Sequence, residues 1–322
     1  MSYREFVPDP RLGRLVDRLW LRTPDEPTAS AGAPGRGHLI LPDGCIDVIV
    51  RVELRASRVG SAAVKLVGAM SRAAEVPSDD TGLLAAVRFR PGGAAPLLGV
   101  PAASLTDQAL GAEQLACLRA LPSALAQSCE RAAHPRPGDH APGAAAPRQV
   151  LAALERWLLG RAAASPGPDP LVAHAVARLF GAAPPHTDAL AREVGFSRQH
   201  LRRRLLDQVG LAPKELARVA RLQRAVARLQ RQRAGGLAAA ALELGFFDQA
   251  HMARELRLLA GLTAHAVTAS AGSIFPIHSL LAEADCGHEE AHPQPDRGRH
   301  RDLPGVLGGP ARLRQDRGGA GG

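Results

Sequence analysis

The chain carries one short device twice, and this repeat constrains its fold more than any other feature. GFSRQHLRRRL begins at Gly195 and GFFDQAHMARE begins at Gly245, fifty residues later. Each copy follows a short apolar helical pattern and leads into a helix that carries arginine. A sharp turn between two helices needs a residue that accepts a positive φ, which glycine does. We therefore predict two helix-turn-helix units.

In the first copy, the residues around the turn are small or apolar. Ala191 stands four residues before Gly195, where the second helix must cross closely, and Phe196 is expected to fill the angle between the helices. Ser197 is a favourable N-cap for the next helix. Because leucines occupy the inward positions of that helix, its polar residues point outward. The predicted DNA-contacting residues are Arg198, Gln199, Arg202 and Arg203.

These side-chain types suit the major groove of DNA. Arginine can make two hydrogen bonds to guanine and glutamine two to adenine, and each such pair contributes ~1–3 kcal/mol of discrimination. The N-terminal end of a recognition helix is the part that enters the groove. A solvated basic helix is the alternative, but it would not need the alanine, glycine, phenylalanine and serine arrangement.

The second copy repeats this frame with less positive charge. Its turn residues are Ala241, Gly245 and Phe246, and Leu242 is expected on the inner face. Phe247 takes the place of the serine, so Asp248 is expected to be the cap. The predicted outward contacts are Asp248, Gln249 and Arg254. A repeat that only packs, without touching DNA, is the alternative.

A connecting helix is predicted between the two copies, over residues 213–233. Val219, Leu222, Val226 and Leu229 form an apolar stripe at the spacing of a core-facing helix. Twenty helical residues span ~30 Å, close to the ~34 Å between successive major-groove faces. The sequence thus predicts a rod that holds two reading heads one DNA turn apart.

The positive charge of the chain lies mainly in this region. The formal net charge is +9, and residues 171–270 hold fifteen Arg and Lys against seven Asp and Glu. A positive field confined to one segment favours a polyanion partner, with double-stranded DNA first. A basic face that only aids solubility is the alternative.

Other features exclude several classes of protein. The four cysteines have no ligand-like spacing, and we predict no metal, no cofactor and no catalytic site. No leader pattern and no run of ~18 apolar residues occurs. We therefore expect a cytoplasmic protein that is not an enzyme and does not enter a membrane.

The predicted fold class is an α+β N-terminal domain with a mainly antiparallel sheet, followed by an all-α DNA-binding domain with two helix-turn-helix motifs. Strands are predicted in CIDVIVRVEL, VKLVGAM and LLAAVRF, and helical pieces at Ala94–Leu98 and Leu110–Gln127. The predicted domains are 1–130, a linker with one helix at 131–169, the DNA-binding domain at 170–270, and a disordered tail at 271–322.

Three residues of the N-terminal half raise the question of a ligand site. Arg88 and Arg90 flank Phe89 on one strand face and could bind an acidic effector, although the wet side of a sheet is the favoured interpretation. Cys45 lies in an alternating strand between two aspartates, where a small core hydrophobe is favoured over a nucleophile.

The two Gly-Phe turns with their connecting helix resemble the AraC/XylS type of bacterial transcription regulator, over about residues 170–269. The resemblance implies seven helices, and base or phosphate contacts at the arginines and glutamines named above. Phe247 replaces the usual serine, and Ala264 stands where proline is usual, which leaves the end of the last helix open. LPDGCIDVIV and VRFRPGGAAPLLGVPAASLTD resemble a sensor-like domain that precedes such segments.

This resemblance implies a sequence-specific regulator whose partners are DNA, a small-molecule effector, a second copy of the chain and, in an activator, RNA polymerase. Two other functions stay open. A methyl-accepting DNA-repair protein would need four clustered cysteines ahead of the DNA-binding segment. A non-specific DNA-coating protein would bind random DNA as well as any operator.

Overall fold

The computed structural model describes residues 2–23, 38–55, 58–76, 82–132, 145–231 and 236–269. All of these residues belong to one compact unit, Met1–Cys286. The predicted tail, 271–322, lies outside the described residues.

The N-terminal part is built on a six-stranded antiparallel sheet with the strand order β1-β2-β7-β4-β5-β8. A separate two-stranded sheet pairs β3 with β6. The strands are β1 Ser2–Phe6, β2 Val16–Thr23, β3 His38–Ile40, β4 Ile46–Arg55, β5 Arg58–Val67, β6 Ala74–Val76, β7 Leu83–Phe89 and β8 Ala109–Gly111. The predicted fold class of this part is confirmed.

The alternating pattern of β4 places its valines in the core. Val48, Val50 and Val52 are buried, whereas Arg51 and Glu53 are exposed on the other face. The central strand β7 lies between β2 and β4, and its apolar run is buried on both faces. Burial on both faces explains why its sequence does not alternate.

The segment Leu110–Gln127 differs from the prediction. It starts in the edge strand β8, whose Leu110 pairs with Leu66 of β5, continues through a 3-10 helix at Ala112–Gln114, and becomes α-helical only from Leu121. Pairing with a strand more than forty residues away decides this conformation, so local sequence patterns did not show it.

Among the described residues, three α-helices belong to this part of the chain: α1 Ala94–Leu98, α2 Leu121–Ala132 and α3 Ala145–Ala163. The helix α3 lies within residues 131–169, where one helix is predicted. Its buried residues, Val150, Leu151, Leu154 and Leu158, lie at helical spacing and belong to the same core cluster as the sheet. Trp157 is half-buried, and the Arg161 guanidinium lies 5.7 Å from the centre of its ring.

The remaining described chain is helical. Its seven helices are α4 Pro170–Phe180, α5 Thr187–Glu193, α6 Arg198–Val209, α7 Pro213–Gln230, α8 Leu237–Glu243, α9 Gln249–Ala260 and α10 Ala264–Ala269. Val219, Leu222, Val226 and Leu229 of the connecting helix α7 are buried, as their spacing predicts. The last helix forms with Ala264 at its first position.

We call the part with β1–β8 and α1–α3 the sheet domain and the part with α4–α10 the helical domain. Three hydrogen bonds join the sheet domain to separate parts of the helical domain. Thr106 Oγ1 donates to the Gly210 carbonyl at the end of α6, over 2.7 Å. Gln223 Nε2 of α7 donates to the buried Pro42 carbonyl, also over 2.7 Å. The Ala73 N–H donates to the Leu259 carbonyl near the end of α9, over 2.7 Å. The sheet domain thus contacts both predicted helix-turn-helix units and the rod between them.

Candidate nucleic-acid interface

The two turns have the same backbone conformation. Gly195 has φ +71° and Gly245 has φ +75°, in the left-handed region that favours glycine. The Phe196 N–H donates to the Ala191 carbonyl over 3.0 Å, and the Phe246 N–H donates to the Ala241 carbonyl over 2.9 Å. Both alanines are buried. The pairs α5–α6 and α8–α9 are therefore two copies of one helix-turn-helix unit.

The caps of the two recognition helices show that the second turn is one residue longer. Ser197 Oγ accepts a hydrogen bond from the His200 N–H over 3.1 Å, and Asp248 Oδ1 accepts one from the His251 N–H over 2.6 Å. Phe247 is the extra residue, and it is 84% exposed. In the structure, His251 of the second unit therefore corresponds to His200 of the first. Each residue after His251 corresponds to the residue 51 positions earlier.

The predicted contact residues of α6 all lie on its exposed side. Leu201, Leu205 and Val209 are buried beneath them. The exposed residues are Arg198, Gln199, Arg202 and Arg203. Because this face is open to solvent rather than packed on the sheet domain, the helix is accessible to a DNA groove.

Their neighbours differ. Arg198 Nη1 lies 3.2 Å from the Asp188 carboxylate, and Arg203 Nη2 lies 3.4 Å from His200 Nδ1. Within the described residues, Arg202 has no ion pair or hydrogen-bonded partner. Arg204 pairs with Asp169 and so holds α6 against the start of α4.

On α9, the predicted residues Asp248, Gln249 and Arg254 are also exposed. The Asp248 carboxylate is occupied by the cap, however, so its assignment as a DNA contact has a competing structural role. In the register that the caps define, Gln249 corresponds to Arg198 and Arg254 to Arg203. The second unit thus presents one arginine where the first presents a cluster.

The two phenylalanines of the turns behave differently. Phe246 is 5% exposed and packs with Met252 and Leu256, as predicted. The prediction that Phe196 fills the angle between its helices is wrong, because that side chain is 45% exposed and stacks on the His200 ring at 4.4 Å. The stacked histidine ring covers part of the Phe196 side chain, and the two helices leave the exposed part uncovered.

The prediction that Leu242 faces inward is also wrong. Leu242 is exposed, and the inner positions of the short helix α8 are Ala240 and Ala241. The small side chains of these two alanines let α8 and α9 approach closely. Leu242 is the next residue along α8, and successive residues of a helix point ~100° apart, so its side chain is turned away from the core.

Several arginines of α7 hold the domain together, which the sequence pattern did not show. Arg218 forms two hydrogen bonds to Glu255 of α9, of 2.9 and 3.0 Å. Arg224 Nη1 donates to the Leu179 and Gly181 carbonyls at the end of α4, over 3.0 and 3.2 Å. Sequence alone does not show which guanidinium groups bond to a neighbouring helix, because the bond depends on how the helices pack.

Arg88 is not on the wet side of the sheet, and the structure corrects that interpretation. Its side chain is 14% exposed, and its Nε lies 3.4 Å from Asp47 Oδ1 and 3.9 Å from Asp43 Oδ2. Burial raises the pKa of Asp43 to about 6, although the Arg88 charge lowers it. Cys45 is buried beside this group, and burial raises the pKa of its thiol. The Arg88 guanidinium is thus ion-paired with the two aspartates.

Arg90 lies beyond the end of β7 and does not share a strand face with Arg88. It lines a cleft of about 580 Å³ between the sheet domain and α4, together with Arg14 and Phe180. Among the described residues, no group of three His, Cys, Asp or Glu could hold a metal ion. None of the described helices is long and apolar enough to cross a membrane.

Two known protein families match parts of the chain. Residues 190–270 match a family described as a helix-turn-helix domain, and residues 4–111 match a domain of unknown function, DUF6597. A comparison with curated protein sequences found no match.

Among solved structures, the chain is similar to ToxT from Vibrio cholerae. One ToxT structure has 8% identity and a TM-score of 0.37, with 85% of this chain and 99% of that chain covered. An apo ToxT variant has 10% identity and a TM-score of 0.38, covering 78% and 98%. ToxT bound to an unsaturated fatty acid has 10% identity and a TM-score of 0.33, covering 71% and 88%.

The stretch that matches the helix-turn-helix family contains both turns, at Gly195 and Gly245. The chain therefore joins a domain of unknown function, residues 4–111, to a helix-turn-helix domain of the AraC type, residues 190–270, the DNA-binding part of a transcription regulator.

Proposed function

We propose that this chain is a sequence-specific transcription regulator that reads two successive major-groove faces of one DNA site. The observation that carries the proposal is the pairing of two like helix-turn-helix units, each with an exposed recognition helix, on one rigid connector. The 18 residues of α7 span about 27 Å, and side chains extend this toward the ~34 Å of one DNA turn.

The exposed side chains supply the chemistry of recognition. Arg198, Gln199 and Arg202 stand in the first two turns of α6, the end that enters a groove. Arginine and glutamine read guanine and adenine through paired hydrogen bonds. In α9, Gln249 and Arg254 occupy the same end with less charge, so we expect α6 to contribute most of the affinity.

The sheet domain is proposed to regulate this binding. It makes hydrogen bonds to the end of α6, to α7 and to the end of α9, so a change in its shape acts on both reading heads. The cleft that contains Arg14 and Arg90 lies between the domains and has an apolar wall at Phe180. Two guanidinium groups beside an apolar wall fit a small organic acid.

This effector proposal has its own test. Full-length chain is titrated with a panel of organic acids while its thermal unfolding is followed. We expect one acid to raise the melting temperature, and Arg14→Ala to remove that rise while leaving the unliganded melting temperature in place. A rise that persists in the variant would place the effector elsewhere.

The DNA proposal is tested by selecting genomic fragments with the full chain and footprinting the selected site. We expect two protected major-groove patches one helical turn apart, on one face of the duplex. Competition against random DNA completes the test. Equal retention of both DNAs would favour a coating protein, and a single protected patch would mean that only one unit reads DNA.

A further inference from the structure

A basic cleft lies between the two helix-turn-helix units and belongs to neither recognition helix alone. It has a volume of about 670 Å³. Lys214, Ala217, Arg218 and Arg221 of α7 form its floor, at the spacing of one helical face. Its walls come from the start of α5 and from α9.

Three of the charged groups that line this cleft are already neutralised. Arg218 is paired with Glu255, and Asp188 is paired with Arg198. Lys214 and Arg221 have no ion pair within the described residues. Arg221 is held in place by the Phe246 ring, whose centre lies 5.3 Å from the guanidinium carbon. The cleft therefore carries two cations that form no ion pair among the described residues, although the charge of Arg221 helps to lower the pKa of Glu255.

The walls place the cleft between the two reading heads. Asp188 is bonded to Arg198, the first residue of α6, and His251 stands in the first turn of α9. Both groove-entering ends thus border the cleft. Between two major-groove faces one turn apart, a duplex presents its minor groove and the phosphates of that segment to the protein.

We propose that this cleft binds the DNA backbone phosphates between the two major-groove faces, through Lys214 and Arg221. The inference depends on the proposed DNA-reading function and adds a contact that neither recognition helix makes. Ala217 stands between the two cations in the chain and adds only a methyl group to the floor. His251 Nδ1 accepts the Phe247 N–H over 3.2 Å, so a neutral ring carries its hydrogen on Nε2 and has one donor to offer.

Such a contact fixes the register of the protein without reading sequence. The contact also fixes both units on the DNA at once, because the phosphate is bound by α7, the helix that joins them. Each phosphate neutralised makes binding fall more steeply with salt, by ~0.9 in the slope of log K against log salt.

The test uses the selected DNA site and replaces single phosphates by neutral methylphosphonates. We expect substitutions between the two protected patches to weaken binding of the wild-type chain about tenfold. The Lys214→Ala/Arg221→Ala variant should bind natural DNA about tenfold more weakly and lose no more than about twofold on the substituted DNA. Its salt slope should fall by ~0.9 for each phosphate lost.

Arg4→Ala/Arg119→Ala is the charge-matched control, since both arginines are exposed in the sheet domain, and it should change neither value. If the losses from the protein variant and from the neutral phosphate multiply, the cleft does not hold that phosphate, and the proposal is wrong. Failure of the chain to select any site would instead contradict the proposed function.

A second pair of variants does not remove any existing contact. Ala217→Asp places a carboxylate on the floor, between Lys214 and Arg221, whereas Ala217→Asn adds the same volume without charge. We expect the aspartate variant to bind every tested DNA at least tenfold more weakly than the asparagine variant. Equal binding by the two variants would also overturn the proposal.

Discussion

Arg218 of the connecting helix and Glu255 of the second recognition helix are joined by two hydrogen bonds, Nε to Oε2 over 2.9 Å and Nη2 to Oε1 over 3.0 Å. Both side chains are mostly buried, and the bond from Arg218 lowers the pKa of Glu255. This pair joins α9 to α7 beside the apolar cluster that contains Leu222, Met252 and Leu256. The second reading head is thus held on the connecting helix by a bidentate ion pair as well as by apolar packing.

Breaking this pair should loosen the second unit. We expect Glu255→Ala to lower the free energy of unfolding by ~1–2 kcal/mol, because it leaves a partly buried guanidinium without its partner. A double-mutant cycle with Arg218→Ala should give a coupling of ~1 kcal/mol. The same cycle on Arg228 and Glu243, whose carboxylate is largely exposed, should give less than ~0.5 kcal/mol. Equal coupling in the two cycles would contradict the special role of the first pair.

Arg202 is expected to be the most sensitive contact of the first reading head. It is exposed and has no partner among the described residues, so Arg202→Ala should leave stability unchanged. It should weaken the specific site by ~1–3 kcal/mol and relax the base preference there. Titration of the operator and of single-base variants measures both effects. Unchanged operator binding by Arg198→Ala/Arg202→Ala would show that α6 does not read DNA.

The turn glycines should be needed for their backbone conformation alone. An added Cβ at Gly195 would meet no atom within 4 Å, so crowding is not the problem. At φ +71° a side chain is strained, and Gly195→Ala should cost ~1–2 kcal/mol of stability. Gly160→Ala is the matched control, because Gly160 lies inside the helix α3 with open space around an added Cβ and without a positive φ. Chemical denaturation compares the two, and equal costs would contradict this explanation.

The buried Asp43 should make stability depend on pH. Its pKa is about 6 in the folded protein, above the ~3.9 of an exposed aspartate. The folded state therefore binds this proton more tightly than the unfolded state does. Its contribution is fully present below pH ~4 and is lost as the pH rises through about 6.

Asp43→Asn removes this titration and keeps an oxygen for the Cys45 N–H. The stability of the wild-type chain relative to this variant should fall by up to ~3 kcal/mol between pH ~4 and ~7. Denaturant unfolding at several pH values measures the difference, with the exposed Asp207→Asn as control. Parallel profiles of the wild-type chain and Asp43→Asn would show that Asp43 does not titrate in this range.

The helical domain could be predicted well because its signals are local. A positive φ at Gly195 and Gly245, a cap at Ser197 and an apolar stripe along residues 219–229 each depend on neighbours within a few residues. The sheet was predicted less completely, since β8 forms only where a distant strand offers its edge. The burial of Phe196 could not be predicted for a similar reason. A turn motif predicts an apolar residue at this position, but the neighbouring helices decide how much of that side chain is covered.

The sequence by itself determined that two like turns stand on either side of one amphipathic helix, and that outward arginines follow the first turn. Tertiary structure decided which charges remain available for DNA. Arg204, Arg218 and Arg224 are taken up by partners on other helices, and Arg88 is enclosed by two aspartates, whereas Arg202, Lys214 and Arg221 are not ion-paired within the described residues. The physical reason is that ion pairs form between side chains close in space, and residues far apart in the chain become neighbours only when the helices and strands pack.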